Sequence, residues 1–146
     1  HIQTIINVGI LVISDRASKG IYTDKSGPTA HDLLTKYYNN DKTFTIDTIK
    51  TTIVPDEALD IKNTIYNYIE HNYHLILTLG GTGFSKRDIT PEITKKIIDK
   101  ECPGIIHLMF MESLKITPYA CLARYTAGIK DNSLIINLPG NPKAVS

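Results

Sequence analysis

The chain has 146 residues, 16 of them basic and 15 acidic, for a formal net charge of +1. That length fits one domain able to bury roughly two-thirds of its unfolded surface, and 42% hydrophobic with 21% charged residues excludes a disordered chain. The charge balance leaves no basic footprint for nucleic acid, and no run approaches the ~18 apolar residues of a membrane helix.

Val8 to Ile13 is a continuous apolar run, the pattern of a strand buried on both faces. Asn7 and Gly9 interrupt the wider Ile5 to Ile13 stretch, which lacks the basic start and small-residue cleavage site of a signal peptide. His1 in place of Met points to a tag remnant or to a domain excised from a longer protein. After a Gly27-Pro28 turn, Ala30, Leu33, Leu34, Tyr37 and Tyr38 recur at helical spacing. Phe44 to Val54 reads as a strand. Leu59, Ile61, Ile65, Tyr68 and Ile69 predict a helix starting near Asp56-Glu57, whose charges suit the positive end of a helix dipole. Leu75 to Leu79 is a second buried strand, ending in Gly80-Gly81-Thr82-Gly83. Thr90-Pro91-Glu92 reads as a helix start, with a capping hydroxyl and Pro at the first helical position, and Pro103-Gly104 as its stop. A further helix follows from Ile105 to Leu114. Thr126 to Ile129 and Leu134 to Leu138 flank Lys130 to Ser133 as a hairpin, and Pro139 to Pro142 leads toward another helix.

Alternating strands and helices predict an α/β domain of three layers: a mostly parallel sheet, helices on both faces, and an antiparallel hairpin at one edge. Ligands bind such sheets beyond the carboxyl ends of the strands. That rule selects Ser14-Asp15-Arg16, Pro55-Asp56-Glu57, Gly80 to Asp88, and Pro139 to Pro142.

Within these segments the Gly80 to Gly83 loop is the strongest signal. Glycines allow close backbone approach, several N–H groups can converge on an anion, and Lys86 and Arg87 follow. No Walker A spacing is present, and the third glycine of the dinucleotide fingerprint is missing. A tight turn without a ligand fits the glycines equally well. Asp56 and Asp88 could face a common cleft and hold Mg²⁺ beside phosphates, although an Asp near a helix start is more often a cap. Asp15 and Asp24 are further candidates, and Arg16 could simply pair with one of these acids. The histidines show no metal-ligand spacing; His71 and His74 suit a helix end. The tyrosines of the second helix read as packing. Cys102 and Cys121 are too few for a disulfide framework, which agrees with an intracellular protein, and both read as small buried hydrophobes.

Taken together, Ile13-Ser14-Asp15, Asp24 to Pro28, Val54 to Glu57, Leu75 to Pro91 (LILTLGGTGFSKRDITP), Cys102-Pro103-Gly104, Glu112 to Pro118 (ESLKITP) and Leu134 to Pro142 (LIINLPGNP) resemble the MogA/MoaB molybdopterin-binding family along the whole chain. The likeness is strongest to the G domains of the plant molybdenum-cofactor protein and of gephyrin. It implies a single domain over residues 1–146 lacking its C-terminal helix, and a cytoplasmic molybdopterin adenylyltransferase that moves AMP from Mg-ATP to molybdopterin and releases pyrophosphate. It further implies Asp56 and Asp88 as the functional aspartates, holding Mg²⁺ through substrate phosphates. Ser14, Asp15, Gly80, Gly81, Thr82, Gly83, Ser113, Pro139, Gly140 and Asn141 would then line the nucleotide and pterin sites. A homotrimer, with hand-off to a molybdate-insertion domain or fused partner, is implied too. The alternative is a non-enzymatic, gephyrin-like trimeric scaffold. Where many relatives have Leu-Ser-Arg, this chain has Leu122-Ala123-Arg124. A hydroxyl missing there would remove one hydrogen bond, worth ~0.5–1.5 kcal/mol.

Overall fold

A computed structural model of the chain describes residues 4–38 and 43–145. Its six strands are β1 (Thr4–Ile13), β2 (Phe44–Val54), β3 (Leu75–Leu79), β4 (Lys100–Glu101), β5 (Ala127–Lys130) and β6 (Ser133–Leu138). They form one sheet in the order β2-β1-β3-β6-β5-β4. The first four in that order are parallel, while β5 runs antiparallel to both β6 and β4. Among the described residues six α-helices accompany them, the last following the final strand: α1 (Asp15–Ser18), α2 (Ser26–Tyr38), α3 (Ala58–Glu70), α4 (Thr90–Ile97), α5 (Pro103–Leu114) and α6 (Pro142–Val145).

The unbroken apolar run of β1 has a direct cause, since its side chains alternate between two cores. Leu11 and Ile13 join Ile61, Ile65 and Tyr68 of α3 and Ile97 of α4 on one face. Val8, Ile10 and Val12 join Ala30 of α2, Leu77 and Leu79 on the other, with Leu34 and Val145 packed against them. The result is the three-layer arrangement expected from the pattern. Tyr68 spans both kinds of structure: its ring is buried, and its hydroxyl lies 2.6 Å from Thr52 Oγ1 and donates toward the carbonyls of Ile10 and Lys50. Its role is packing, as read from the sequence. A buried polar junction closes the layers on the other side of β3. Asn137 Nδ2 donates to Thr78 Oγ1 at 2.9 Å and to Thr94 Oγ1 at 3.0 Å, while its Oδ1 accepts from Thr126 N at 2.9 Å. Every polar atom of that amide side chain has a partner, which is the condition for burying it without a large penalty.

Several expectations are corrected. The antiparallel hairpin of β5 and β6 stands at one side of the sheet as expected, and beyond it lies an unexpected two-residue β4, which forms because α4 stops at Ile97 and Asp99 N and Cys102 N then donate to Ile129 and Ala127 carbonyls. Two residues carry no periodicity, so no pattern announced this strand. Thr90 is not the cap of α4: Ile89 holds that position, and Thr90 lies inside the first turn with Pro91. Neither cysteine is buried; Cys102 is half-buried and Cys121 exposed. Arg16 pairs with no acid among the described residues and lies over the Tyr22 ring, 5.5 Å from its centroid. His71 does cap α3, with Nδ1 2.7 Å from the Asn67 carbonyl. His1 lies outside the described residues.

Candidate functional site

The register Ile13↔Val54, Val12↔Leu79 and Leu79↔Leu138 aligns the carboxyl ends of the four parallel strands along one edge. The chain leaves β1 toward β2 on one side and leaves β3 toward the β4–β6 side, so the topology switches direction between β1 and β3. Crevices at such switch points are where ligands bind α/β sheets. The four segments selected from the sequence are all here: hydrogen bonds join the first three, and Pro139 to Pro142 lies against Gly80.

The first joint links the β1 and β2 ends. Asp15 N donates to Asp56 Oδ2 at 3.0 Å, and Asp56 N donates back to Asp15 Oδ1 at 2.9 Å. Ser14 caps α1, its Oγ accepting from Ala17 N, and Ser14 N donates to the Val54 carbonyl. Arg87, from the loop after β3, closes the ring. Its Nε donates to Asp15 Oδ2 at 2.6 Å, and its Nη2 to Asp15 Oδ1 and Glu57 Oε1, each at 2.9 Å. Arg87 is therefore committed to acids in this state rather than left free for phosphate.

These contacts drive two carboxyls in opposite directions. The Arg87 hydrogen bonds, helped by the Asp56 N–H, hold Asp15 down to about 2 from an ordinary 3.8. Burial pushes Asp56 up. The Asp15 N–H opposes that rise, and the negative charges of Asp15 and Asp88 add to it. Both carboxyls border the same glycine loop: Asp56 Oδ1 lies 3.3 Å from the Cβ position of Gly81 and Asp88 Oδ2 2.7 Å from that of Gly83.

Because the folded value of Asp15 is depressed, its contribution to stability is complete above the ordinary 3.8 and disappears as pH falls through about 2. We expect Arg87→Ala to flatten this acid limb. Urea melts between about pH 5 and about pH 2 should show a steeper loss of stability for the parent than for the variant, and parallel curves would contradict the assignment.

The glycine loop is tied at both ends. Gly80 N donates to the Leu138 carbonyl at 3.1 Å and Thr90 N to the Gly81 carbonyl at 3.2 Å. Gly80 and Gly81 have φ of 106° and 68°, the left-handed region that favours glycine. A Cβ on Gly80 would strike the Ile13 carbonyl, and one on Gly81 would strike Thr90 Oγ1, with Asp56 Oδ1 3.3 Å away. Thr90 is fully buried and its hydroxyl has no partner among the described residues. Pro139 to Asn141 adjoin the loop, since the Cβ position of Gly140 is 3.2 Å from Gly80 Cα. Asn141 itself starts α6, its Oδ1 accepting from Lys143 N.

Asp88 folds back on its own loop. Its Oδ2 accepts from Ser85 N at 3.0 Å and Ser85 Oγ at 2.8 Å. Asp88 Oδ1 and Asp56 Oδ1 accept no hydrogen bond among the described residues. Asp24 proves to be a cap for α2, bonded to Ser26 and Gly27. Ser113 lies half-buried in the last turn of α5, outside this hydrogen-bonded cluster. On the outer side of the loop a groove of about 590 Å³ runs past Phe84, Asp88, Glu92 and Arg124.

Arg124 is the participant that spacing did not reveal. Its N donates to the Thr82 carbonyl, Nε to the Gly83 carbonyl at 2.9 Å, and Nη2 to the Asp88 carbonyl at 2.7 Å. Nη1 bridges both Glu92 oxygens at 2.8 and 2.7 Å. The partners lie 32 to 42 residues away in sequence, so no local pattern could point to them.

Residues 9–146 match a family model described as "Probable molybdopterin binding domain". The chain is 48% identical over 141 residues to a molybdopterin adenylyltransferase of Helicobacter pylori strain J99, covering 96% of this chain and 77% of that protein. It is 43% identical over 141 residues to a protein named gephyrin from Dictyostelium discoideum, covering 94% of this chain but 20% of that much longer one. The crystal structure of the molybdopterin biosynthesis enzyme MoaB from Thermus thermophilus superposes with a TM-score of 0.83 at 37% identity, over 96% of this chain and 84% of that one.

Proposed function

Since the chain belongs to the molybdopterin-binding domain family, we propose that it is a molybdopterin adenylyltransferase of molybdenum-cofactor biosynthesis, transferring AMP from Mg-ATP to the terminal phosphate of molybdopterin. The observation that carries this reading is the meeting of Asp15, Asp56, Asp88 and the Gly80–Gly83 loop at one end of the parallel strands. An oxygen of the molybdopterin phosphate attacks the α-phosphorus of ATP and forms the new P–O bond. The bond from that phosphorus to the oxygen bridging the β-phosphate breaks, and pyrophosphate leaves with the electron pair. Such a transfer needs in-line positioning and charge neutralisation more than covalent help from the protein.

The donor set fits Mg²⁺. No group of three or more His, Cys, Asp or Glu among the described residues forms a ready metal cage, while Asp56 and Asp88 each keep an oxygen without a hydrogen bond. Mg²⁺ takes one or two carboxylates together with substrate phosphates and water. When bound it would neutralise phosphate charge and polarise the α-phosphoryl group. The chain's own residues do the rest. Loop N–H groups from Gly81 to Gly83 hold phosphate oxygens, Gly80 N being bonded to the Leu138 carbonyl, and Gly80, Ser14, Asp15 and Pro139 to Asn141 shape the adjoining wall. Thr82 completes the proposed lining, while Ser113 in α5, apart from the cluster, belongs to it only as the family resemblance implies. Ala123 withholds the hydroxyl that many relatives place there, tuning pterin contact.

The test is turnover with ATP, Mg²⁺ and molybdopterin, read as pyrophosphate release. Asp88→Asn should lower it by about 100-fold while the protein stays folded, and chelation of Mg²⁺ should abolish it in the parent. Near-normal turnover in either case would overturn the reading.

Assembly as a homotrimer belongs to the same proposal. α5 buries no residue in the single chain, and Leu108, Met111, Leu114, Ile116, Tyr119 and Leu122 are exposed along it and the segment that follows. An apolar surface of this kind is characteristic of one that meets another protein. The small share of the Dictyostelium gephyrin that this domain matches supports hand-off to a fused or neighbouring molybdate-insertion domain, and the cytoplasm is where the reading puts the reaction. A scaffold role beside catalysis is the second reading. A pull-down with Asp88→Asn separates the two: partners retained without turnover would show that scaffolding is independent of chemistry.

A further inference from the structure

Arg124 does more than pack beside the glycine loop. It gathers three backbone carbonyls, those of Thr82, Gly83 and Asp88, onto one side of the loop, and Glu92 holds its guanidinium from behind. In a planar trans peptide the carbonyl and the following N–H point in opposite directions. Turning the Thr82 and Gly83 carbonyls toward Arg124 therefore turns the N–H groups of Gly83 and Phe84 away from it. Neither N–H finds an acceptor among the described residues, although the other side of the same peptides is fully engaged. Two adjacent, unpaired N–H groups with a common direction are the elements of an anion-binding nest.

We propose that Arg124 is a positioning residue: by holding these carbonyls it presents the Gly83 and Phe84 N–H groups as preset donors for a phosphate of the nucleotide. This rests on the adenylyltransferase reading for the identity of the anion, and on geometry alone for the clasp. The backbone N of residue 124 holds the Thr82 carbonyl whatever the side chain; the guanidinium serves the Gly83 and Asp88 carbonyls and the Glu92 carboxylate from one plane, and a lysine ammonium keeps the charge but cannot span those three. Arg124 touches no substrate atom in this scheme. Its effect is on how the loop meets phosphate.

The test compares the parent with Arg124→Ala and Arg124→Lys. Titration with Mg-ATP and with pyrophosphate should show binding weakened by about tenfold in both variants, with the Lys variant giving little rescue. In turnover the KM for ATP should rise more than kcat falls. Amide hydrogen exchange should accelerate at residues 82–90, where Ser85 N and Asp88 N are bonded within the loop, while β1 and β3 amides stay protected. A merely structural role would lower the melting temperature without the selective KM change. Parental affinity for pyrophosphate with unchanged exchange at residues 82–90 would overturn the proposal. Should Arg124→Ala fail to fold, Arg124→Lys carries the same readouts. If the parent binds pyrophosphate but transfers no AMP, and the variants lose that binding, the clasp stands and the assigned reaction falls.

Discussion

Asp56→Asn leaves a folded protein at least as stable as the parent at neutral pH, and adenylyl transfer lower by at least about 100-fold. The two halves of that expectation have one cause. Burial and the neighbouring charges of Asp15 and Asp88 raise the Asp56 carboxyl above its ordinary value. For such a group the stabilising form is the protonated one. Its contribution is complete below 3.8 and is lost as pH rises through the raised folded value, so at neutral pH the ionised side chain opposes folding. Asparagine removes the charge and keeps a carbonyl oxygen to accept from Asp15 N, the contact made at 3.0 Å by Oδ2. It also removes the anionic oxygen proposed to hold Mg²⁺. Thermal melts and pyrophosphate release on the same preparation check both halves. A variant markedly less stable than its parent, or one with ordinary turnover, would contradict the account.

Gly81→Ala acts on the loop itself, and should cost about 2–4 kcal/mol with loss of most activity. At φ 68° any L side chain is strained, and here the new methyl also meets Thr90 Oγ1. Thr90 cannot easily retreat, because it is fully buried and its backbone is bonded to both Gly81 and Thr94. Gly83→Ala is the control. Gly83 is not at positive φ, and its methyl would approach Asp88 Oδ2 at 2.7 Å, a side chain that can turn. Thermal denaturation should show a drop of about 10 °C for Gly81→Ala and a clearly smaller one for Gly83→Ala. Equal effects would mean that backbone conformation is not what selects glycine at 81.

The strands were legible wherever burial on two faces wrote a continuous apolar run. Leu75 to Leu79 matches β3 end to end for that reason; Phe44 to Val54 matches β2 end to end for a different one, the Thr, Ile and Val content of a strand at the sheet margin. The site was legible for a related reason: strand ends in a parallel sheet collect on one edge, so Asp15, Asp56, the glycines and Pro139 come together once the order of strands is right. What stayed hidden depends on pairs distant in the chain. Asp15 looks like any acid near a helix start until Arg87, 72 residues on, reaches it. Arg124 stood only in a tripeptide whose altered middle residue, Ala123, drew attention. The Thr90 cap failed because a Thr-Pro-Glu string fits a helix start at more than one position, and the loop's bond from Thr90 N to the Gly81 carbonyl decides which.

The two margins of the sheet differ in a way that bears on handling the protein. One margin ends in β4, two residues long; the other is β2, eleven residues long and only partly covered. A long free margin is a template on which another chain can add a strand and begin to aggregate. Here the defences are the charged Asp47 and Lys50 within β2 and the register shift between Ile6 and Asn7 that disrupts its flatness. Replacing those two charges with valines would turn a tolerated margin into a nucleus for fibre growth.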